Sequence, residues 1–162
     1  NDLHIELTHK MGKIMKALLN KITATNVGLD TLAVRVAVGS IFAAHGAQKL
    51  FAWFGGYGLE GTAGWMESIG LGPGLLMATL AGSAEFFGGL LLVIGLLVRP
   101  AAFVLGITMI VAIVTVHFEN GLFMSANGYE FGLALLAVTV GLFVRGAGSL
   151  SADRFLQLRL SQ

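Results

Sequence analysis

The chain has 162 residues, of which 56% are hydrophobic and only 12% are charged, with a net charge of +1. Soluble domains carry about 25% charged residues, roughly twice the share found here. Four membrane-spanning helices of ~20 residues would use ~80 residues of this chain. The composition therefore predicts an all-α integral membrane protein. The absence of cysteine excludes disulfides and thiol redox chemistry, and neither the charge nor any glycine motif favours nucleic acid, ATP or NAD.

Residues 1–28 are predicted to form a cytoplasmic arm with an amphipathic helix over residues 11–22. One face of this helix has apolar residues at helical spacing, namely Met11, Ile14, Met15, Leu18 and Ile22. The remaining surface has four lysines, namely Lys10, Lys13, Lys16 and Lys21. Because the helix is too polar to span a membrane, the pattern favours an interfacial helix on an anionic lipid surface over a targeting sequence or a soluble arm.

A membrane domain of four helices is predicted over residues 29–145. The four spans are expected at residues 29–51, 74–98, 101–117 and 129–144. Arg99 and Pro100 are predicted to form the turn between the second and third spans, and Thr62 to cap a short helix in the loop between the first two spans. Residues 146–162 are predicted to form a polar tail with a short amphipathic helix.

The charges outside the spans predict the orientation of the bundle. The arm, the turn at Arg99 and the tail contain lysines and arginines, whereas the other two loops contain Glu60, Glu67 and Glu119 and no basic residue. By the positive-inside rule both termini are expected in the cytoplasm. Glycines seven residues apart, such as Gly39 with Gly46 and Gly82 with Gly89, predict close helix contacts within the bilayer.

Ionisable residues inside the spans are the candidates for function, because each costs a few kcal/mol to insert. Arg35, His45 and Lys49 share one helical sector about 80° wide and are expected to face the bundle interior. Glu85 falls near the membrane midplane, where it must be protonated, paired or hydrogen-bonded. Most other polar residues are expected in the outer half of the bundle, namely Gln48, His117, Glu119, Tyr129 and Glu130.

Simpler interpretations remain open for several of these residues. Arg35 can extend to the cytoplasmic headgroups, and His45 can donate to a backbone carbonyl. Lys49, Glu119 and Glu130 lie near interfaces, where charged side chains are solvated. Because His45 and His117 are expected at different depths, no metal site is predicted.

Three segments resemble the DoxX family of small bacterial membrane proteins. They are RVAVGSIFAAHGAQKLF (35–51), AEFFGGLLLVIGLLVRPAA (84–102) and VHFENG (116–121) followed by GYEFGLALL (128–136). The resemblance covers about residues 30–145, with several motifs in the same order and at the same gaps. Its matching polar positions are Arg35, His45, Lys49, Glu85, His117, Tyr129 and Glu130.

The resemblance implies a four-helix bundle in the bacterial inner membrane. The family is named after its similarity to the membrane subunit of a thiosulfate:quinone oxidoreductase, and some members are thought to act with redox partner proteins. We therefore expect a quinone-associated redox component. Glu85, His45 and Lys49 are the candidate proton-relay and quinone-contacting residues, and the candidate pocket residues are Arg35, Gln48, His117, Tyr129 and Glu130.

Two other classes of function stay open at this stage. One is a non-enzymatic anchor or assembly subunit, in which the polar groups hold the helices together and the glycine faces bind a partner or a second copy. The other is a small transporter, with Glu85, His45 and Glu130 lining its path.

Overall fold

A computed structural model describes residues 2–24, 28 and 31–161 of the chain. Over these residues it contains seven α-helices and no β-strand, which confirms the predicted all-α fold. The helices are α1 (Asp2–Ile22), α2 (Leu32–Phe51), α3 (Gly58–Ser68), α4 (Gly74–Ile94), α5 (Val98–Ala112), α6 (Glu130–Arg145) and α7 (Ala152–Leu160). The start of the predicted first span, at residues 29 and 30, lies outside the described residues, as do residues 1, 25–27 and 162.

Within the described residues, two helical segments are long and apolar enough to cross a membrane. One is α4, and the other is α5 with its continuation to Asn120. That continuation is a π-helical turn over Ile113–His117 followed by a 3-10 turn over Phe118–Asn120. Helix α2 has 20 residues but contains Arg35 and Lys49, and α6 has 16 residues, about 24 Å of helix.

The turn between α4 and α5 lies earlier in the chain than the sequence predicted. Helix α4 ends at Ile94, and Gly95 follows in the left-handed conformation with φ 75°, which glycine adopts without steric cost. Arg99 and Pro100 lie in the first turn of α5, where a missing proline N–H breaks no helical hydrogen bond. The predicted turn at Arg99–Pro100 is therefore wrong.

The predicted capping role of Thr62 is also wrong. Helix α3 begins at Gly58, so Thr62 lies within the helix, where its side chain is buried. Its hydroxyl donates to the backbone carbonyl of Lys49 at 3.4 Å. This hydrogen bond ties α3 to the last turn of α2, next to the cavity described below.

Glycines allow α2 and α4 to approach each other closely, as their spacing predicted. A Cβ atom on Gly39 would lie 2.7 Å from the carbonyl oxygen of Gly89. A Cβ on Gly46 would lie 2.7 Å from the carbonyl oxygen of Gly82 and 2.6 Å from the Cα of Phe86. Neither position leaves room for a side chain, so the two helix backbones are in direct contact.

The hydrophobic core joins this helix pair to α5 and α6. Its fully buried members include Phe42 of α2, Leu92 of α4 and Leu105 of α5, all at most 1% exposed, and Leu135 and Leu142 of α6 belong to the same cluster. Most of the large exposed side chains on α4, α5 and α6 are apolar. That is the reverse of a soluble helix bundle, whose outer surface is polar.

Candidate functional site

A cavity of about 330 Å³ lies among α2, α3, α4, α5 and α6. Its volume is at the lower end of the range for small-molecule sites. Most of the wall is apolar and includes Phe42, Met66, Met109, Phe131 and Leu135. A minority of the lining residues are polar or ionisable, namely His45, Lys49, Glu85, Thr108, Thr115, His117 and Asn127.

An ion pair between α2 and α4 lies at the cavity wall. The Nζ of Lys49 donates to the Oε2 of Glu85 at 2.6 Å. The Glu85 side chain is 6% exposed and the Lys49 side chain 25% exposed, so the carboxylate is the deeper partner. The expectation that Glu85 would be paired or hydrogen-bonded is confirmed. Since an ammonium group has three donors, two N–H groups of Lys49 remain for other acceptors.

Two histidines also line the cavity. His45 lies one helical turn before Lys49 on α2 and is exposed, so its ring is accessible from the cavity mouth. His117 ends the π-helical turn, and its Nδ1 lies 2.9 Å from the carbonyl oxygen of Asn127. Because a carbonyl only accepts hydrogen bonds, Nδ1 carries the proton, and in the neutral ring Nε2 is then an acceptor. In the part of the chain that the structure describes, no group of three acidic or histidine side chains can hold a metal ion.

Arg35, one of the predicted pocket residues, lies at the other end of α2, about 21 Å from Lys49 along the helix. It is 1% exposed and donates to backbone carbonyls at the end of α4 and in the segment after α6. The acceptors are Leu92 at 2.9 Å, Val93 at 2.7 Å, Ala147 at 3.1 Å and Leu150. Arg35 therefore neither lines the cavity nor extends to the headgroups.

Three further predicted pocket residues lie close to the cavity without lining it. Gln48 donates to the carbonyl of Phe54 at 3.3 Å. The Tyr129 ring stacks on Phe118 with 5.8 Å between centroids. Glu130 accepts a hydrogen bond from the N–H of Met124 at 2.6 Å. The Tyr129 and Glu130 contacts shape the loop before α6, in which Asn127 and Gly128 line the cavity, and Glu119 is exposed in the same loop.

Sequence reasoning missed Asp153, a buried carboxylate in the first turn of α7. Its two oxygens accept from the N–H groups of Leu97 at 2.7 Å and Val98 at 3.0 Å, at the start of α5. Burial raises the pKa of this carboxyl, and these two donors and the nearby Arg35 and Arg99 oppose the rise. Asp153 is the only acidic residue in an otherwise basic tail, which was the available signal.

Two polar residues, one in α5 and one in its π-helical continuation, were also missed. Thr108 and Thr115 both line the cavity. They are seven residues apart and therefore share one face of the helix. Each hydroxyl donates to the carbonyl four residues earlier, Val104 at 3.1 Å and Val111 at 2.7 Å. A threonine pair at this spacing in an apolar span was the signal that identifies the cavity face of α5.

Comparison with known proteins establishes the class of this protein. The family model described as DoxX matches residues 31–118, more than half of the chain. The chain therefore belongs to the DoxX family of membrane proteins. The matched region contains His45, Lys49, Glu85 and His117 of the cavity and ends before Tyr129 and Glu130.

Individual relatives agree with this assignment. "Putative oxidoreductase CatD" of Bacillus subtilis (strain 168) is 34% identical over 128 residues, which cover 79% of this chain and 87% of the relative. An "Uncharacterized membrane protein" of Mycobacterium tuberculosis is 31% identical over 140 residues, 80% of this chain and 83% of that protein. An "Uncharacterized protein" of Haemophilus influenzae is 30% identical over 127 residues, 74% of this chain and 85% of the relative. No solved structure matches the chain.

A double-mutant cycle measures the contribution of the ion pair. Lys49→Met leaves the Glu85 carboxylate buried without a partner, and Glu85→Gln removes the acceptor of Lys49. We expect Lys49→Met to lower the free energy of unfolding by about 3 kcal/mol, near the lower limit for a buried pair because Lys49 is partly exposed. Lys49→Met with Glu85→Gln is expected to cost less than the sum of the two single changes. The measurement is reversible unfolding in mixed detergent micelles, and strictly additive values would contradict a coupled pair.

Proposed function

We propose that this chain is an inner-membrane redox component that binds a quinone and works with a partner protein. The observation that carries the proposal is the cavity, whose wall is apolar except for an ion pair, two histidines and a few neutral polar groups. The name of the Bacillus subtilis relative supports redox chemistry as the class of function.

The chemistry of the cavity fits a quinone headgroup. A quinone ring is apolar apart from two carbonyl oxygens, which accept hydrogen bonds, and its prenyl tail favours an apolar surrounding. Lys49 has two free donors beside Glu85, and the exposed ring of His45 offers a further donor one turn away. These two residues would hold the oxygens, while Phe42, Met109 and Leu135 contact the ring and the tail.

Reduction of a bound quinone to its quinol takes up two electrons and two protons. We assign the proton relay to His45 and Glu85: the exposed His45 takes up protons from water, and the Glu85 carboxylate, which carries no proton in its ion pair with Lys49, accepts a proton before it passes one to the quinone. The Nε2 of His117 would accept a hydrogen bond from a quinol hydroxyl, which a quinone lacks. The electrons would come from the partner protein, because the chain has no cysteine for dithiol chemistry.

We also propose four membrane spans, with both termini in the cytoplasm. Helix α4, and α5 with its continuation to Asn120, meet the length and hydropathy expected of spans, and α2 and α6 pack beside them in the same bundle. In α2, burial of Arg35 and pairing of Lys49 lower the cost of its two charges. The basic arm and tail stand at one end of the bundle. Glu60 and Glu67 of α3, and Glu119 in the segment before α6, stand at the other.

Cysteine labelling tests this topology directly, because the native chain has no cysteine. Gly64→Cys in α3 and Ala126→Cys before α6 place thiols at exposed positions, and Asn20→Cys does the same in α1. In intact cells we expect an impermeant maleimide to label the first two variants, and to label Asn20→Cys only after permeabilisation. Labelling of only one of Gly64→Cys and Ala126→Cys would contradict four spans. A reversed pattern would contradict the orientation.

Quinone binding is testable through Trp65, which lines the cavity. In a Trp53→Phe background, titration of the purified protein with a decyl-tailed benzoquinone is expected to quench Trp65 fluorescence in a saturable manner. His45→Ala is expected to raise the Kd about tenfold, the cost of one hydrogen bond to the ligand. Because His45 is exposed, this variant should fold normally. The purified chain alone is expected to bind the quinone without reducing it.

Glu130→Gln provides the matched control for the carboxylate of Glu85. Both variants neutralise one glutamate, but Glu130 lies outside the cavity and a glutamine oxygen still accepts from Met124 N–H. We expect Glu85→Gln to weaken quinone binding and Glu130→Gln to leave the Kd unchanged. Unsaturable quenching, or equal Kd values for the native protein, His45→Ala and Glu85→Gln, would overturn the proposal.

A further inference from the structure

Helix α1 has a largely exposed apolar face. Five of its large apolar side chains are more than half exposed, namely Leu7 at 52%, Met11 at 64%, Ile14 at 60%, Met15 at 58% and Leu18 at 55%. They fall in one sector about 100° wide. A helix that exposes such a face to water over about three turns gains nothing from its apolar residues, so this face requires a partner.

The charges of α1 indicate the chemistry of that partner. Lys10, Lys13, Lys16 and Lys21 occupy the sides and back of the helix, and no acidic residue lies between residues 10 and 24. A basic helix with one apolar face fits an anionic lipid surface, where the apolar side chains enter the bilayer and the lysines meet the headgroups. A groove on a soluble protein would leave most of these lysines without a complementary charge.

Helix α1 is attached to the bundle at the end where a membrane surface is expected. The carbonyl of Thr23, just after α1, accepts from the side-chain amide of Gln157 in α7 at 2.7 Å. The next carbonyl, that of Ala24, accepts from Arg99 at 2.7 Å. These two hydrogen bonds connect α1 to α7 and to the start of α5.

Helix α7 presents a second surface of the same kind. Phe155 and Leu158 are 58% and 49% exposed, and the guanidinium of Arg159 lies over the Phe155 ring at 5.2 Å from its centroid. The opposite side of α7 is fixed in the protein by Asp153. Apolar and basic side chains therefore stand together on the outer side of α7, as they do on α1.

We infer that α1 and α7 together form a docking surface for anionic phospholipid headgroups at the basic end of the bundle. The surface combines the apolar side chains of both helices with the four lysines of α1 and with Arg159. Asp153 and Arg99 attach it to the membrane bundle, and Gln157 joins the two helices, so lipid binding fixes the position of both helices relative to the spans. This inference is independent of quinone binding in the cavity.

An environment-sensitive fluorophore on a single cysteine tests the inference in the full-length protein. Met15→Cys places the label on the apolar face of α1, and Asn20→Cys places it about 140° away on the same helix as the matched control. The proteins are reconstituted in phosphatidylcholine bilayers with and without phosphatidylglycerol. We expect the label at Met15→Cys to shift to the blue and to resist an aqueous quencher only when phosphatidylglycerol is present. The label at Asn20→Cys should stay accessible in both.

Two other results would overturn the inference. Shielding of Met15→Cys in detergent, or equally in both bilayers, would mean that the apolar face contacts this chain, a second copy or neutral lipid. Accessibility of Met15→Cys in every condition would mean that α1 stays in water.

Charge variants separate lipid recognition from loss of the helix. Lys13→Gln with Lys16→Gln keeps residues of good helix propensity, and circular dichroism checks the helix content. We expect the ratio of shielded to accessible label to fall about fivefold for each lysine replaced. Arg154→Gln with Arg159→Gln should also weaken the shielding if α7 belongs to the surface. Unchanged shielding in the lysine variant would overturn the role of charge, and unchanged shielding in the arginine variant would remove α7 from the docking surface.

Discussion

The ion pair between Lys49 and Glu85 is the interaction on which the candidate site depends. A carboxylate that is 6% exposed within an apolar bundle is stable as a charge only if a partner lies at hydrogen-bonding distance. That partner is on α2, so α2 and α4 must approach closely, and the glycine contacts at Gly39–Gly89 and Gly46–Gly82 permit the approach. The pair also gives the cavity a fixed polar wall, and the donors that Lys49 does not use for Glu85 remain for a ligand.

The opposite end of the bundle is stabilised by different chemistry. Arg35 and Asp153 are both 1% exposed, and both bind backbone groups where helices end. Arg35 donates to carbonyls, and Asp153 accepts from N–H groups at the start of α5. Helix ends leave such groups without partners in the helix itself. A buried arginine and aspartate therefore satisfy them, and they hold the tail against the bundle. At one end of α2, Lys49 and Glu85 form the polar wall of the cavity. At the other end, Arg35 and Asp153 hydrogen-bond to the backbone groups of helix ends.

The sequence predicts much of this architecture because its signals are periodic. Hydrophobic runs locate four of the helices to within a few residues, and glycine spacing predicts the α2–α4 contact. Periodicity defines a helix face but not the neighbour that this face meets. It therefore groups Arg35 with His45 and Lys49, although Arg35 is about four helical turns away from Lys49. The acceptors of Arg35 and the donors to Asp153 are backbone atoms, which have no sequence signature. Tyr129 and Glu130 were placed at the right end of the bundle, but loop geometry keeps them out of the cavity wall.

Native mass spectrometry of the protein extracted from its own membrane in a mild detergent tests the central claim most directly. We expect the chain to retain a bound molecule with the mass of a membrane quinone, and His45→Ala to retain much less of it. A chain that retains no small molecule, and is found only with copies of itself or with another protein, would contradict a quinone site and favour an anchoring role.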